Sequence, residues 1–225
     1  MDQGMKSYWA EFLGTFALCF IGQGAICVLQ LTGASGSGLL IVAVAHGLAL
    51  AVMISALAAT SGGHFNPAVT FGFLVTGRQS VGSAAAYWIS QLLGALVASL
   101  ILKGIFPGSV WQVVHVGAAS RSPEISVGAA LVIEFILTFF LVTAVWGTAV
   151  DGRRPNIGGF GIGLAVTMGI LLGGPLTGAA MNPARAFGAA LAAGFWPDHW
   201  IYWVAPMTAG ALAALTYTRL VLRGS

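Results

Sequence analysis

Two short stretches of the chain are identical: Asn66-Pro67-Ala68 and Asn182-Pro183-Ala184. Each opens an apolar segment, about 66–76 and about 182–193, that is roughly half as long as a membrane span. Asparagine caps helix N-termini and proline is tolerated at the first helical position, so each tripeptide predicts the start of a short helix. A single copy would more often mark an ordinary turn. Two copies in corresponding places favour a pair of half-length helices.

The chain around these stretches is too apolar for a water-soluble protein. Of 225 residues, 58% are hydrophobic and 7% are charged, whereas roughly 25% of an ordinary soluble domain is charged. The apolar residues form runs of about twenty, which is enough for a helix to cross a bilayer. Six runs predict six membrane-spanning helices in an all-α membrane protein: about 8–30, 37–60, 83–106, 127–149, 157–175 and 199–222.

The two halves of the chain resemble each other. A six-residue stretch of the first span returns in the fourth: Glu11-Phe12-Leu13-Gly14-Thr15-Phe16 and Glu134-Phe135-Ile136-Leu137-Thr138-Phe139. Three spans per half is an odd number, so the second half must enter the membrane in the opposite orientation, as an inverted repeat. We expect a single channel domain over 1–225, with halves at about 1–110 and 122–225 and a loop at 111–121 between them.

The basic residues predict the orientation in the membrane. Six of them fall on one side of the six-span arrangement: Lys6, Arg78, Arg153, Arg154, Arg219 and Arg223. Lys103 and Arg121 fall on the other side. By the positive-inside rule, both termini are expected in the cytoplasm. The net charge is only +3 and the basic residues form no cluster, so no nucleic-acid partner is expected.

A helix that starts in the middle of a membrane must face a polar cavity, because its first backbone N–H groups are unpaired. In an inverted repeat, the two half-helices meet near the centre with their positive dipole ends facing each other. Asn66 and Asn182 would offer amide donors there, while Pro67 and Pro183 stiffen the helix starts. Such a pore centre favours a small neutral molecule that accepts hydrogen bonds and disfavours a cation.

The longer strings around the tripeptides resemble the two signature loops of the aquaporin family, also named the major intrinsic proteins: Gly62-Gly63-His64-Phe65-Asn66-Pro67-Ala68-Val69-Thr70 and Gly178-Ala179-Ala180-Met181-Asn182-Pro183-Ala184-Arg185-Ala186-Phe187-Gly188. The resemblance extends over essentially all of the chain. It implies six membrane helices with two re-entrant half-helices, passive conduction of water, and a homotetramer with one pore per subunit. We expect no cofactor, no metal site and no enzymatic activity.

Arg185 is the one basic residue inside an apolar segment, and an intramembrane arginine is costly enough to indicate a function. In the resembling family, two further filter residues stand twenty positions before the first signature asparagine and twelve before the second. Those counts assign His46 and Ile170, and Ala179 completes the ring. A lone histidine in an apolar span is by itself more often a buried core residue.

The set His46, Ile170, Ala179 and Arg185 resembles the filters of the tonoplast-intrinsic group. This resemblance implies that water passes and that ammonia or hydrogen peroxide passes as well, while protons and ions are excluded. Glycerol is disfavoured, because glycerol channels typically carry aspartate directly after the filter arginine, where this chain has Ala186.

Two carboxylates stand at matching places in the repeat, Glu11 and Glu134. A buried carboxylate is costly unless it is hydrogen-bonded, and intramembrane acids often relay protons. The family resemblance favours a different role, in which these residues brace the signature loops through backbone N–H groups. His64 is expected to line or hold the inner approach to the pore. The role of His115, between the third and fourth spans, stays open.

Two other functions share part of this pattern. Secondary transporters also have inverted repeats and broken helices, but an ion-coupled transporter usually needs acidic residues near its binding site, and only Glu11 and Glu134 are available. A closed structural membrane protein is the second alternative. The short termini and brief loops favour a plasma (inner) membrane, and the filter makes a vacuolar membrane possible.

Overall fold

The computed structural model describes residues 3–34, 36–153, 155 and 157–222. Within these ranges the chain forms helices and no strand, and the α-helices in chain order are α1 Gln3–Thr32, α2 Gly38–Ser61, α3 Pro67–Val75, α4 Val81–Ile105, α5 Gly108–Val114, α6 Val127–Val145, α7 Phe160–Thr177, α8 Pro183–Ala193 and α9 Ile201–Thr216. Two of the basic residues used to predict the orientation, Arg154 and Arg223, lie outside the described residues.

The long helices correspond to the predicted spans. Among the described residues, five helices are long and apolar enough to cross a membrane: α1, α2, α4, α6 with the π-helical turn Trp146–Val150, and α7. The sixth predicted span is α9, which has 16 residues and continues into the π-helical turn Tyr217–Leu222. The prediction of an all-α membrane fold with two half-helices is therefore confirmed.

Two details differ from the predictions. The fifth span starts at Phe160 rather than near 157, because Gly158 adopts a left-handed φ of 57° that no α-helix contains. The stretch 111–121, predicted as a loop, is partly helical: α5 runs to Val114 and a 3₁₀ turn follows at His115–Gly117. Helix α5 has only seven residues, too few for a periodic pattern to show in the sequence.

The packing of the helices follows the repeat. Helix α1 packs against α2 and α4, and α6 packs against α7 and α9, while α2 and α7 cross between the halves. Glycine makes this central crossing possible. A Cβ atom on Gly47 would lie 2.6 Å from the carbonyl oxygen of Gly163, and one on Gly163 would lie 2.3 Å from the carbonyl oxygen of Gly47. Small residues let membrane helices approach this closely.

Each half-helix packs mainly on a span of the other half. Helix α3 lies against α9, and α8 lies against α4. Glycines again allow the contact: a Cβ on Gly210 would lie 2.4 Å from the carbonyl oxygen of Ala68, and one on Gly188 would lie 2.5 Å from the carbonyl carbon of Ala95. This exchange brings the N-termini of α3 and α8 together in the interior.

Candidate functional site

The two signature asparagines cap the half-helices. Asn66 and Asn182 have extended backbone angles and precede the prolines that start α3 and α8. Oδ1 of Asn66 accepts a hydrogen bond from the backbone N–H of Ala68 at 2.9 Å. Oδ1 of Asn182 accepts from the N–H groups of Ala184 at 3.0 Å and Arg185 at 3.2 Å. Each cap satisfies backbone donors that a helix start leaves unpaired.

The same two asparagines also join the half-helices to each other. Nδ2 of Asn66 donates to the carbonyl oxygen of Met181 at 2.8 Å, and Nδ2 of Asn182 donates to the carbonyl oxygen of Phe65 at 2.9 Å. Each amide therefore binds the residue just before the opposite asparagine. An amide nitrogen carries two N–H groups, so one on each asparagine is used in this reciprocal contact.

Glu11 organises the first signature loop from α1. Its carboxylate is fully buried and accepts hydrogen bonds from the backbone N–H groups of His64 at 2.9 Å and Phe65 at 2.7 Å. Two side chains also donate to it, Ser61 and Gln91, each at 2.7 Å. Four donors converge on one carboxylate, which matches the acceptor-only character of the ionised group.

Glu134 makes the equivalent contacts in the second half. It accepts from the backbone N–H groups of Ala180 and Met181, both at 2.9 Å, and from the hydroxyl of Thr177 at 2.7 Å. Met181 has a φ of 50°, and Phe65, its counterpart in the first loop, has a φ of 47°. A side chain in this left-handed region is costly, so each carboxylate holds its loop in a conformation the chain would otherwise avoid.

Arg185 lies buried one turn into α8 and is held by three acceptors. Its Nη1 donates to the carbonyl oxygens of Gly178 at 3.2 Å and Ala179 at 3.3 Å. Its Nε donates to Nε2 of His46 at 3.1 Å. The structure thus brings together two residues that the sequence placed in the filter from separate arguments.

The partners of His46 define its protonation state. Nε2 receives the Arg185 donor, so it carries a lone pair. Nδ1 lies 2.9 Å from the carbonyl oxygen of Val42, which can only accept, so Nδ1 carries the proton. Both contacts are satisfied together only by the neutral ring with its proton on Nδ1.

The other two predicted filter residues border the same passage. Ile170 and Ala179 line it together with His46 and Arg185, and both are buried. On the side that the basic residues predict to be extracellular, the passage opens into a cavity of about 580 Å³, the outer vestibule, which Ile170 and Arg185 also border. The four predicted residues therefore lie at the inner end of an outer vestibule.

A narrow channel continues inward from these residues past the two asparagines. The space in which the centre of a water molecule fits amounts to about 20 Å³, room for only one or two such centres. Asn66, Asn182 and the loop residues form a polar side. The rest of the wall is aliphatic: Leu18, Leu50, Val69, Leu141, Val145, Ile162 and Val166.

His64 lies at the inner end of the channel. It borders both the channel and an inner cavity of about 430 Å³. Its ring stacks on Phe73 with centroids 4.2 Å apart, and its Nδ1 lies 3.1 Å from the hydroxyl oxygen of Thr70. Gln91 donates to the same hydroxyl oxygen at 3.0 Å, which links His64 to the Glu11 network.

His115 takes no part in the passage. Among the described residues that line the channel and its outer vestibule it does not occur. Its ring stacks face to face on Phe195, with centroids 3.6 Å apart and planes 8° apart. This contact places His115 in the packing between α5 and the end of α8.

Several contributors to the site were missed from the sequence. Tyr87 and Tyr202 donate their hydroxyls to the carbonyl oxygens of Ser61 at 2.7 Å and Thr177 at 2.8 Å, one in each half. A closer comparison of the two halves would have paired these tyrosines. Gly22 of α1 lies against the His46 ring and Gln23 contacts the Arg185 backbone, but nothing in an apolar run shows which face of the helix meets Arg185.

Comparison with known proteins agrees with this architecture. The family model described as "Major intrinsic protein" matches residues 2–217. The chain is 46% identical to "Probable aquaporin TIP3-2" of Arabidopsis thaliana, over 97% of this chain and 84% of that protein. It is 42% identical to "Aquaporin TIP2-2" of Zea mays, over 98% of this chain and 89% of that protein.

A solved structure shares the fold over nearly the whole length. The aquaglyceroporin of Plasmodium falciparum superposes with a TM-score of 0.85 and 28% sequence identity, covering 98% of each chain. Together with the long apolar helices and the two half-helices, these matches show that the chain belongs to the major intrinsic protein family, the family of the aquaporins.

Proposed function

We propose that this aquaporin-family protein is a passive channel that conducts water and small neutral solutes, ammonia and hydrogen peroxide among them, and excludes protons and ions. The observation that carries the proposal is the hydrogen bond from Arg185 to His46 at the narrow end of the outer vestibule. This bond sets a fixed positive charge and a neutral imidazole beside each other in the wall of the passage.

The proposed exclusion of ions rests on three positive features along one narrow path. Arg185 carries a full charge, and the N-termini of α3 and α8 each carry roughly half a charge from the helix dipole. Among the described lining residues of the channel there is no carboxylate to offset them. A cation that sheds its water shell here meets repulsion and no compensating ligand, which is how an arginine in a pore wall excludes cations.

The proposed passage of neutral solutes rests on a channel wall that is polar on one side and aliphatic on the other. A water molecule finds hydrogen-bond partners on the polar side and contacts no partner on the aliphatic side. Ile170 presents an alkyl surface to the passage, which lowers the cost for a weakly hydrated molecule such as ammonia to enter. Glycerol stays disfavoured, since Ala186 follows Arg185 and the passage has little free volume.

Four further proposals concern the setting of the channel. The chain acts as a homotetramer with one pore in each subunit, and aliphatic residues on the outer faces of α2, α4 and α7 are exposed in the single chain. Both termini lie in the cytoplasm. The host membrane is a plasma membrane or a vacuolar membrane, and the similarity to TIP-type aquaporins supports the vacuolar alternative. The chain works without a cofactor.

Stopped-flow light scattering on proteoliposomes tests the proposed function. Vesicles are challenged with an impermeant osmolyte, with an ammonium gradient and with hydrogen peroxide, and empty liposomes serve as the control. We expect fast shrinkage with a low activation energy, added ammonia and peroxide flux, and no added proton or potassium flux. Permeability equal to that of empty liposomes would instead indicate a closed structural protein.

A further inference from the structure

Gln23 of α1 contacts the backbone of the filter arginine. Its Nε2 donates to the carbonyl oxygen of Arg185 at 3.1 Å, although the two residues are 162 positions apart. The Gln23 side chain is fully buried. A buried amide in a membrane helix is costly unless its groups are paired, so this contact ties the first span to the half-helix of the other half.

Ser99 of α4 holds the other end of the same amide. Its hydroxyl lies 2.8 Å from Oε1 of Gln23 and 2.9 Å from the carbonyl oxygen of Ala95. Because the Arg185 carbonyl can only accept, the amide nitrogen of Gln23 must face it and the amide oxygen must face Ser99. One hydrogen-bonded chain therefore joins α4, α1 and α8.

The hydrogen bond from Gln23 acts on the backbone of Arg185, at the base of its side chain. The guanidinium end is held by Gly178, Ala179 and His46. Gln23 fixes the backbone from which that side chain leaves. Backbone and guanidinium are thus held by different partners, and the position of the charge in the passage depends on both.

The second half of the repeat lacks this chain. Gln23 stands twelve residues after Glu11, and Trp146 stands twelve after Glu134. Trp146 donates its Nε1–H to the hydroxyl oxygen of Thr218 at 3.0 Å, a residue of the π-helical turn that follows α9. If this hydrogen-bonded chain served helix packing alone, both halves of the repeat would need it. The amide contact is found at the half-helix that carries the filter arginine.

We propose that Gln23, oriented by Ser99, is a positioning residue for Arg185 and thereby sets the solute selectivity of the channel. This inference rests on the proposed function, because it takes the passage at Arg185 and His46 as the selective barrier. Loss of the Gln23 contact frees the first turn of α8, Arg185 shifts from its position, and larger neutral solutes gain relative to water.

The test compares urea and water permeability of each variant in proteoliposomes by stopped flow. After the permeability of empty liposomes is subtracted, the ratio of the two permeabilities does not depend on how many folded channels a vesicle contains. Gln23→Met keeps the side-chain length and removes both hydrogen bonds, and Ser99→Ala removes only the hydroxyl. Ser90→Ala is the matched control, since Ser90 lies on the same helix and, among the residues that the structure describes, its hydroxyl bonds only the carbonyl oxygen of Ala86.

We expect Gln23→Met to raise the urea-to-water ratio roughly fivefold, the factor that corresponds to one hydrogen bond. Ser99→Ala raises it less, Ser90→Ala leaves it unchanged, and the double variant does not exceed Gln23→Met, because both residues act through one chain. An unchanged ratio in Gln23→Met overturns the inference. Should Gln23→Met fail to fold, an unchanged ratio in Ser99→Ala overturns it.

Arg185→Val, measured in parallel, separates this inference from the proposed function. If Arg185→Val changes the ratio and Gln23→Met does not, the positioning role fails while the filter stands. If neither variant changes the ratio, the filter at Arg185 fails as well, and the inference falls with it.

Discussion

The Nε–H of Arg185 donates to Nε2 of His46 across 3.1 Å, and the two residues are 139 positions apart. The imidazole accepts this bond only in its neutral form, because a protonated ring has no free lone pair. The arginine therefore supplies the positive charge at the proposed filter, and the neutral ring of His46 helps to orient the guanidinium.

Arg185→Val removes that charge and leaves a shorter apolar side chain. We expect the variant to conduct more urea relative to water than the parent channel and to leak small cations, because both the bulk and the repulsion are lost. Vesicles loaded with a potassium-sensitive dye and stopped-flow solute uptake measure the two effects.

Arg121→Gln is the matched control for this substitution. Arg121 borders the wide outer vestibule and pairs with Asp198 at 2.8 Å, away from the narrow passage. Its loss should leave the solute range unchanged. Unchanged ion leakage and solute range in Arg185→Val would count against the filter assignment.

Gly22 leaves the space that the His46 ring occupies. A Cβ atom on Gly22 would lie 2.2 Å from Cδ2 and 2.3 Å from Nε2 of His46. The ring cannot move aside freely, because Val42 and Arg185 form hydrogen bonds with its two nitrogens. We expect Gly22→Ala to displace His46, to cost about 1–3 kcal/mol of stability and to change the urea-to-water permeability ratio.

Gly104→Ala provides the comparison for Gly22. Gly104 lies in α4, and a Cβ there would meet nothing within 4 Å. This variant should keep the parent ratio and should not lose stability, because alanine favours a helix more than glycine does. If Gly22→Ala also keeps the parent ratio, the position of His46 does not determine selectivity.

Asn182→Asp separates the two contacts of the signature asparagine. Aspartate still caps α8 through an oxygen, but it cannot donate to the carbonyl oxygen of Phe65. We expect a loss of about 1–3 kcal/mol, the range for a buried acceptor left without its donor, together with weaker exclusion of cations by the added negative charge.

Denaturation in detergent and potassium flux in vesicles measure these two effects. Asn66→Asp should behave alike, since Asn66 makes the reciprocal bond to Met181. A variant as stable as the parent would show that the bond between the half-helices contributes nothing to stability.

The parts of the site that could be predicted from sequence are those that repeat or stand out against apolar surroundings. The asparagines and the paired glutamates occur twice, and Arg185 is a charge in an apolar segment. The reciprocal bonds of the asparagines could not be predicted, because their acceptors are backbone carbonyls of Phe65 and Met181. Backbone groups carry no sequence signal.

Residues of α1 were missed for a different reason. The helix is apolar around most of its circumference, so its sequence does not show which face meets lipid and which meets α8. Gly22 and Gln23 become functional only through the fold, where two halves of opposite orientation place α1 beside the half-helix of the second half. The boundaries of α7 and α5 depend likewise on single turns at Gly158 and His115.

Glu134→Gln tests whether the buried carboxylates brace the loops or relay protons. An amide presents one oxygen and one NH₂ group, so at least one of the donors from Thr177, Ala180 and Met181 would face another donor. We expect a loss of about 1–3 kcal/mol, with the water permeability of each folded channel retained. Glu124→Gln, at an exposed position, should leave both unchanged. A proton flux present in the parent and lost in Glu134→Gln would instead establish a relay.

Asp151 and Arg153 follow the π-helical turn at the end of α6. Their pairing predicts that the stability of the folded protein depends on pH. Nε and Nη2 of Arg153 donate to the two carboxylate oxygens of Asp151 at 2.9 and 2.7 Å. These hydrogen bonds lower the pKa of Asp151 well below its ordinary value of 3.8.

A carboxylate with a lowered pKa stabilises the folded state above its ordinary pKa, and this contribution is lost as the pH falls through the folded-state value. Arg153→Gln should therefore lower the melting temperature by a constant amount from about pH 8 to pH 5, and the difference from the parent should shrink below the ordinary carboxylate range of about 4. Arg78→Gln removes a charge for which the described residues show no carboxylate partner. The difference in melting temperature between this variant and the parent should therefore stay constant over the same pH range. A constant offset for Arg153→Gln down to pH 3 would mean that Asp151 is not the group responsible.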